Sequence, residues 1–250
     1  MTSSPGWLSR YQRGQRQRVW LELRQVGSTL RGTGLGEEAQ LVCDEMARRA
    51  RQNIEVLVER LTEDGYRFHS NDDGQVPMLP HAPPTAGAAE YVQRLEDRFG
   101  AVPMTLSAWA RIVGDVWFVG THPSMPGLAG ADPLVIELEG SLHEVPRWFV
   151  DVVDEEWDDW QERQAEDPDD EPFVLPVAPD HYHKNNTSGG GAYGFILPDG
   201  CVDGVFSWET DLPFVSYLNW VFSDGGFPRP PGDKDWWQLR RRLTKDLLPL

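Results

Sequence analysis

The sequence predicts an α+β protein with a mainly antiparallel, curved sheet flanked by helices and preceded by an N-terminal helical hairpin. Three observations carry this expectation. Segments with apolar residues at helical spacing lie toward both ends of the chain. Short runs rich in β-branched and aromatic residues, bounded by Gly and Pro, lie between them. The two kinds of segment do not alternate strand, helix, strand, so a parallel βαβ sheet is not expected. With 250 residues, 40% of them hydrophobic, and with 11 Trp and 10 Phe, the chain can build an ordered core.

Residues 1–69 read as a helical region. In QRQRVWLELRQVGSTL, Val19, Leu21, Leu23 and Val26 recur in a loose helical pattern. Further on, Leu41, Met46, Ala50, Ile54, Leu57 and Leu61 recur at steps of three to five residues, and acids open the segment. Gly65 supplies a stop. The short glycine-rich RGTGLG joins the two helices as an antiparallel pair. Tyr66–Phe68 starts a short strand. Residues 70–87, with Pro77, Pro80, Pro83 and Pro84, read as a Pro-rich linker.

Residues 88–228 read as the α+β domain. A helix over 88–99 shows Tyr91, Leu95 and Phe99 on one face, with Gly100 as its stop. A short helix follows Pro103, with Leu106, Trp109 and Ile112 as its stripe. DVWFVGTH and DPLVIELEG read as strands, the second placing Leu134, Ile136 and Leu138 opposite Val135, Glu137 and Glu139. The insertion 151–171 holds twelve acidic residues and one basic, which predicts a short helix ending in a solvated loop. PFVLPVAP reads as an edge strand limited by its prolines. GAYGFILP and CVDGVFSWE read as strands around an Asp199–Gly200 turn. A helix then buries Phe214, Tyr217, Leu218, Val221 and Phe222 and ends at Gly225–Gly226. Residues 229–250 read as a helical tail.

Charge narrows the function classes. The net charge is −17, and residues 70–228 alone carry 28 acidic and 6 basic residues. That region repels nucleic acid and would attract a basic protein partner, although solubility alone is the commoner reason for such acidity. No apolar run is long enough to span a membrane, and the N-terminus lacks a signal-peptide apolar core. Cys43 and Cys201 form neither a disulfide framework nor a zinc spacing, and they read as reduced thiols in the cytoplasm. The Asn185 and Asn186 glycosylation sequons are then without consequence.

The motif with the most chemistry is DHYHKNNTSGGGAYG, from Asp180 to Gly194. On a strand, His181 and His183 face one side and, with Asp180, make an alternative metal or acid–base centre. Neither HExxH nor CxxC accompanies them. The glycines lack the following Lys-Ser/Thr of a phosphate loop, so a turn needing positive φ is the favoured reading. Ser188 with His183 and Asp180 stands too close in sequence for a catalytic relay, and no nucleophile elbow is present. Cys201 has no activating neighbour in the sequence. The carboxylates of 154–171 are too many and too solvated to single out a glycosidase pair. No cofactor is expected. Tryptophans inside the acidic stretch suggest a binding face instead, formed by Trp148, Trp157 and Trp160 with Asp154, Glu155, Glu156, Asp158 and Asp159. Trp236–Trp237 are a second aromatic pair, and for both sets core or tail packing is the more common explanation.

One stretch, YVQRLEDRFGAVPMTLSAWARIVGDVWFVGTHP at 91–123, resembles the opening of the SUKH superfamily, which includes bacterial immunity proteins and a yeast cell-wall regulator. Glu96, Gly100, Pro103, Leu106, Trp109 and Gly114 occupy the places of that pattern, and Val102 stands where the family prefers Leu. FVSYLNWVF is similar to the family's closing helix. The resemblance covers 88–228; the acidic insertion and the histidine-glycine segment depart from it. It implies a non-enzymatic, protein-binding domain, such as an immunity protein that neutralises a basic nuclease toxin. A metal-dependent hydrolase at His181 and His183, or a structural subunit of a larger assembly, are the alternatives.

Overall fold

The computed structural model describes residues 5–142 and 147–250, with the side chains of 147–152 also outside that description. Two short helices open the chain, α1 (Trp7–Gln12) and α2 (Arg16–Val26). Gly14, at φ 95°, turns the chain between them. Glu22 ties them together, accepting from both terminal nitrogens of Arg10 at 2.6 and 2.7 Å and from the Trp7 indole at 3.1 Å. A single turn of 3-10 helix, Gly27–Leu30, leads to the 30-residue α3 (Gly34–Glu63). Thr33 caps α3 by accepting from the Gly36 N–H. This differs from the expected hairpin of two antiparallel helices: α3 packs on α1 and on a later helix. Leu41 and Leu21, counted in the apolar stripes, are exposed, whereas Ala39, Val42, Cys43, Met46 and Ala47 face the core. The α3 stripe is built from small residues as well as large ones, and small residues leave a weak hydrophobic signature.

After Gly65, β1 (Arg67–Phe68) forms where a strand was expected. The proline-bearing segment read as a linker instead contributes β2 (His81–Ala82), which joins a sheet. Helices α4 (Ala88–Phe99) and α5 (Met104–Ile112) follow, then β3 (Asp115–Trp117), β4 (Gly120–Thr121) and β5 (Val135–Ile136). Helix α6 (Arg147–Glu166) is 20 residues long, more than the short helix expected of so acidic a stretch. Strand β6 (Phe173–Ala178), a one-turn helix α7 (His181–Lys184), β7 (Tyr193–Leu197), β8 (Val205–Ser207) and β9 (Leu212–Pro213) come next. Helices α8 (Phe214–Ser223) and α9 (Trp236–Thr244) close the chain.

The fold is α+β and the described strand pairs are all antiparallel. They form a pair β1-β4, a three-stranded sheet β2-β3-β5 and a four-stranded sheet β6-β7-β8-β9. The Glu137 N–H donates to Val177 O at 2.8 Å, so the edge strand β6 meets the end of β5. Asp115, fully buried, accepts from the backbone N–H of Leu138, Glu139 and Ser141 and fixes the chain leaving β5.

One contiguous cluster of buried side chains runs from Trp7 to Leu250 and includes residues of α1, α3, α5, the sheets, α8 and α9. The C-terminal segment is part of it. Trp236, Leu239 and Leu243 are buried, and buried Asn53 of α3 exchanges two hydrogen bonds with the Leu248 backbone at 2.7 and 2.8 Å. Asn219 accepts from the Leu250 N–H at 3.0 Å. Among the described residues, no helix is long and apolar enough to cross a membrane.

Candidate functional site

Helix α6 holds most of the residues singled out for binding. Val153, Trp157 and Trp160 recur at steps of four and three, which puts them on one face. That face packs on α4 and β6. The Trp157 ring meets Phe99 edge-on at 5.3 Å and Phe173 at 4.9 Å, and Trp160 stacks on Trp157 at 4.7 Å. The Trp160 indole N–H donates to Glu171 O at 2.9 Å. Trp157 is therefore a core residue rather than an exposed hot spot, at 5% exposure, and Trp160 is half-buried. Trp148 lies in the first turn of α6, where side chains are outside the described residues.

The carboxylates divide into two groups. Arg98 of α4 donates to Asp154 Oδ1 at 2.8 Å and to Asp158 Oδ1 at 2.6 Å, pinning α6 to α4. The same two carboxylates hold the Arg98 guanidinium above its ordinary pKa, the Asp158 hydrogen bond foremost. Glu155, Glu156 and Asp159 are exposed and have no ion-pair partner among the described residues, and Glu162 and Glu166 are exposed beyond them. The aromatic face thus holds the helix in place while an unneutralised acidic face is left to solvent.

The histidine-glycine segment does not place His181 and His183 on a strand, as expected, but on the one-turn helix α7. Asp180 caps α7, accepting from the His183 N–H at 2.9 Å, and its Oδ1 also lies 2.5 Å from His183 Nδ1. In a helical turn, residues two apart do not share a face, so His181 and His183 diverge. His181 donates its backbone N–H to the Tyr193 hydroxyl at 3.0 Å, with its ring 3.8 Å from Glu209. Burial pushes the His181 pKa below its ordinary value, with the nearby Arg229 charge acting in the same direction. Among the described residues, no three His, Cys, Asp or Glu side chains gather in a group that could hold a metal ion. His183 Nδ1 faces Asp180 Oδ1, and among the described residues no hydrogen bond joins Ser188 to His183, so the sequence-adjacent triad is not assembled either.

What the segment builds is a buried ion pair. Lys184 Nζ donates to Asp132 Oδ1 at 2.7 Å, and both side chains have no exposure. The Trp208 indole donates to Asp132 Oδ2 at 2.8 Å, and the ammonium stands 4.9 Å from the Tyr193 ring centre. Burial pushes the Lys184 pKa down, and Asp132 opposes it. Asp180 Oδ2 is buried with no hydrogen-bond partner, lying against Gly190 so closely that a Cβ there would fall 1.9 Å from it. That contact accounts for one of the three glycines in the loop. Sequence reasoning passed over Lys184 and Asp132, because a lysine among polar residues reads as solvated and its partner is 52 positions away. It also passed over a groove of about 550 Å3 lined by Arg31, Glu37, Gln40, Glu96 and Ser107.

Comparisons with protein-family models, with curated proteins and with solved structures returned no match.

Proposed function

We propose that the chain is a protein-binding module that docks a basic partner on the solvent face of α6, with an immunity-type neutralisation of a nuclease toxin as its role. The observation that carries this reading is the division of α6: Trp157 and Trp160 fix one face to the core, and Glu155, Glu156 and Asp159 stand exposed and unpaired on the other. A fixed acidic face speeds encounter with a basic surface and disfavours acidic competitors. The SUKH-like stretch over 91–123 points the same way. Cys43 and Cys201 are free thiols, and the reading places the protein in the cytoplasm, where it would meet an incoming toxin.

The test is capture from the native host, followed by titration of the captured protein against wild type and the variant Glu155→Lys/Glu156→Lys/Asp159→Lys. A basic nuclease whose affinity falls at least about tenfold in the variant, and falls further with added salt, supports the proposal. A partner that is not basic, or one that binds both forms equally, overturns it.

A further inference from the structure

Helix α9 buries one side and leaves the other to solvent. Trp236, Leu239 and Leu243 face the core, and α9 packs on α3. Trp237, Arg241 and the C-cap residue Lys245 recur at steps of four, so they share the opposite face. All three are exposed, Trp237 at 59%. Arg240 and Arg242 are committed to Asp224 and Asp64, whereas no ion pair reaches Arg241 or Lys245 among the described residues. The Arg241 Nε donates to the Trp237 carbonyl oxygen at 3.2 Å, and the Arg240 guanidinium stands 5.8 Å from the Trp237 ring centre. An exposed indole set among cations has the composition of a binding anchor.

A complementary surface lies on the same chain. Glu155, Asp159, Glu162 and Glu166 of α6 recur at steps of four, three and four, so they line one stripe opposite Trp157. All four are exposed, and none has an ion-pair partner among the described residues. At 1.5 Å of rise per residue, this stripe runs about 16 Å and the α9 stripe about 12 Å. Two helices presenting stripes of such similar length can lie against each other. Within one chain, α6 is held on α4 and β6 and α9 on α3, and no ion pair joins the two stripes among the described residues.

We propose that α9 of one copy docks on the acidic stripe of α6 of a second copy, head to tail. This rests on the reading of α6 as a docking face and names an occupant for it. Arg241 and Lys245 meet carboxylates, and the Trp237 ring is covered by the aliphatic stems between them. The two patches differ, so the contact is heterologous and each copy keeps one patch for a further copy. A contact of this size belongs with weak associations. The net charge of −17 opposes it from a distance, and salt at about 0.15 M, with a Debye length of about 8 Å, screens that repulsion while leaving pairs in contact.

The test is sedimentation velocity of the full chain in such salt, from low micromolar to a few hundred micromolar. The wild-type sedimentation coefficient is expected to rise with concentration. Glu155→Gln/Asp159→Asn/Glu162→Gln and Trp237→Ala/Arg241→Gln/Lys245→Gln each weaken association at least about tenfold. Both change exposed side chains, and thermal melts matching wild type establish that they fold. Mixed in equal amounts, the two variants regain one intact contact, so they form a 1:1 dimer that grows no further. A wild-type chain that stays monomeric, a folded variant that associates like wild type, or a mixture without the dimer overturns the proposal. A monomeric chain whose α6 still captures a basic host protein sinks this inference and leaves the α6 reading standing; assembly with no basic host protein captured does the reverse.

Discussion

Lys184 carries a fully buried ion pair. Its ammonium and the Asp132 carboxylate are both without exposure, 2.7 Å apart. Removing one partner of such a pair leaves a buried charge uncompensated, which costs about 3–5 kcal/mol. Lys184→Met is expected to lose that much in denaturant unfolding, and Lys184→Met/Asp132→Leu to recover part of it. A loss under about 1 kcal/mol in the single variant would contradict the pairing. His181 supplies a pH dependence. Its folded pKa is depressed by burial below the ordinary 6.5, so between the two values the unfolded chain binds more protons. Stability from this group is complete above 6.5 and is lost as pH falls through the folded value. His181→Asn therefore loses less stability than wild type between pH 7.5 and 5, measured by thermal melting; parallel slopes would exclude the assignment.

At the scale of elements, α6 shows how one helix separates structure from recognition. Val153, Trp157 and Trp160 are its structural face, and truncating the central indole removes contacts with both Phe99 and Phe173. Trp157→Ala is expected to cost about 3–5 kcal/mol. The Glu155→Lys/Glu156→Lys/Asp159→Lys variant changes exposed side chains and is expected to stay within about 0.5 kcal/mol per site, which circular dichroism melts would register. If the acidic variant unfolds as readily as Trp157→Ala, the carboxylates are structural and the division of faces is wrong. Strand β7 makes a second test. A Cβ at Gly194 would fall 2.0 Å from Leu175 O across the pairing with β6, so Gly194→Ala must push the strands apart. About 1–3 kcal/mol of lost stability is expected from such overpacking. The elements themselves were largely readable: α4, α5 and α8 follow their apolar spacing, and α3 ends at Gly65 as its sequence predicts. The strands were harder, because β2 and β5 are two residues each and their pairing comes from partners far along the chain. A segment as rich in proline as 70–87 carries no local sign that His81 and Ala82 will complete a sheet.

The whole molecule buries one cluster that reaches from Trp7 to Leu250. Such a shared core predicts a single cooperative unfolding transition, with calorimetric and van't Hoff enthalpies in agreement. Deleting residues 236–250 would uncover Trp236, Leu239 and Leu243 together with the α3 face they cover, and is expected to abolish that transition rather than trim a tail. Two separable transitions in the full chain would show that the helical N-terminal region stands apart. The sequence by itself determined the α+β class, the helical spacing, the acidic centre and the positions of most turns. These rest on periodicity, charge and glycine, which act over a few residues. Only the tertiary structure decided that Trp157 faces inward, that His181 and His183 diverge around a one-turn helix, that Lys184 finds Asp132, and that Asp64 meets His122. Each depends on groups brought together from distant positions, and burial and hydrogen-bond geometry between such groups leave no local pattern to read.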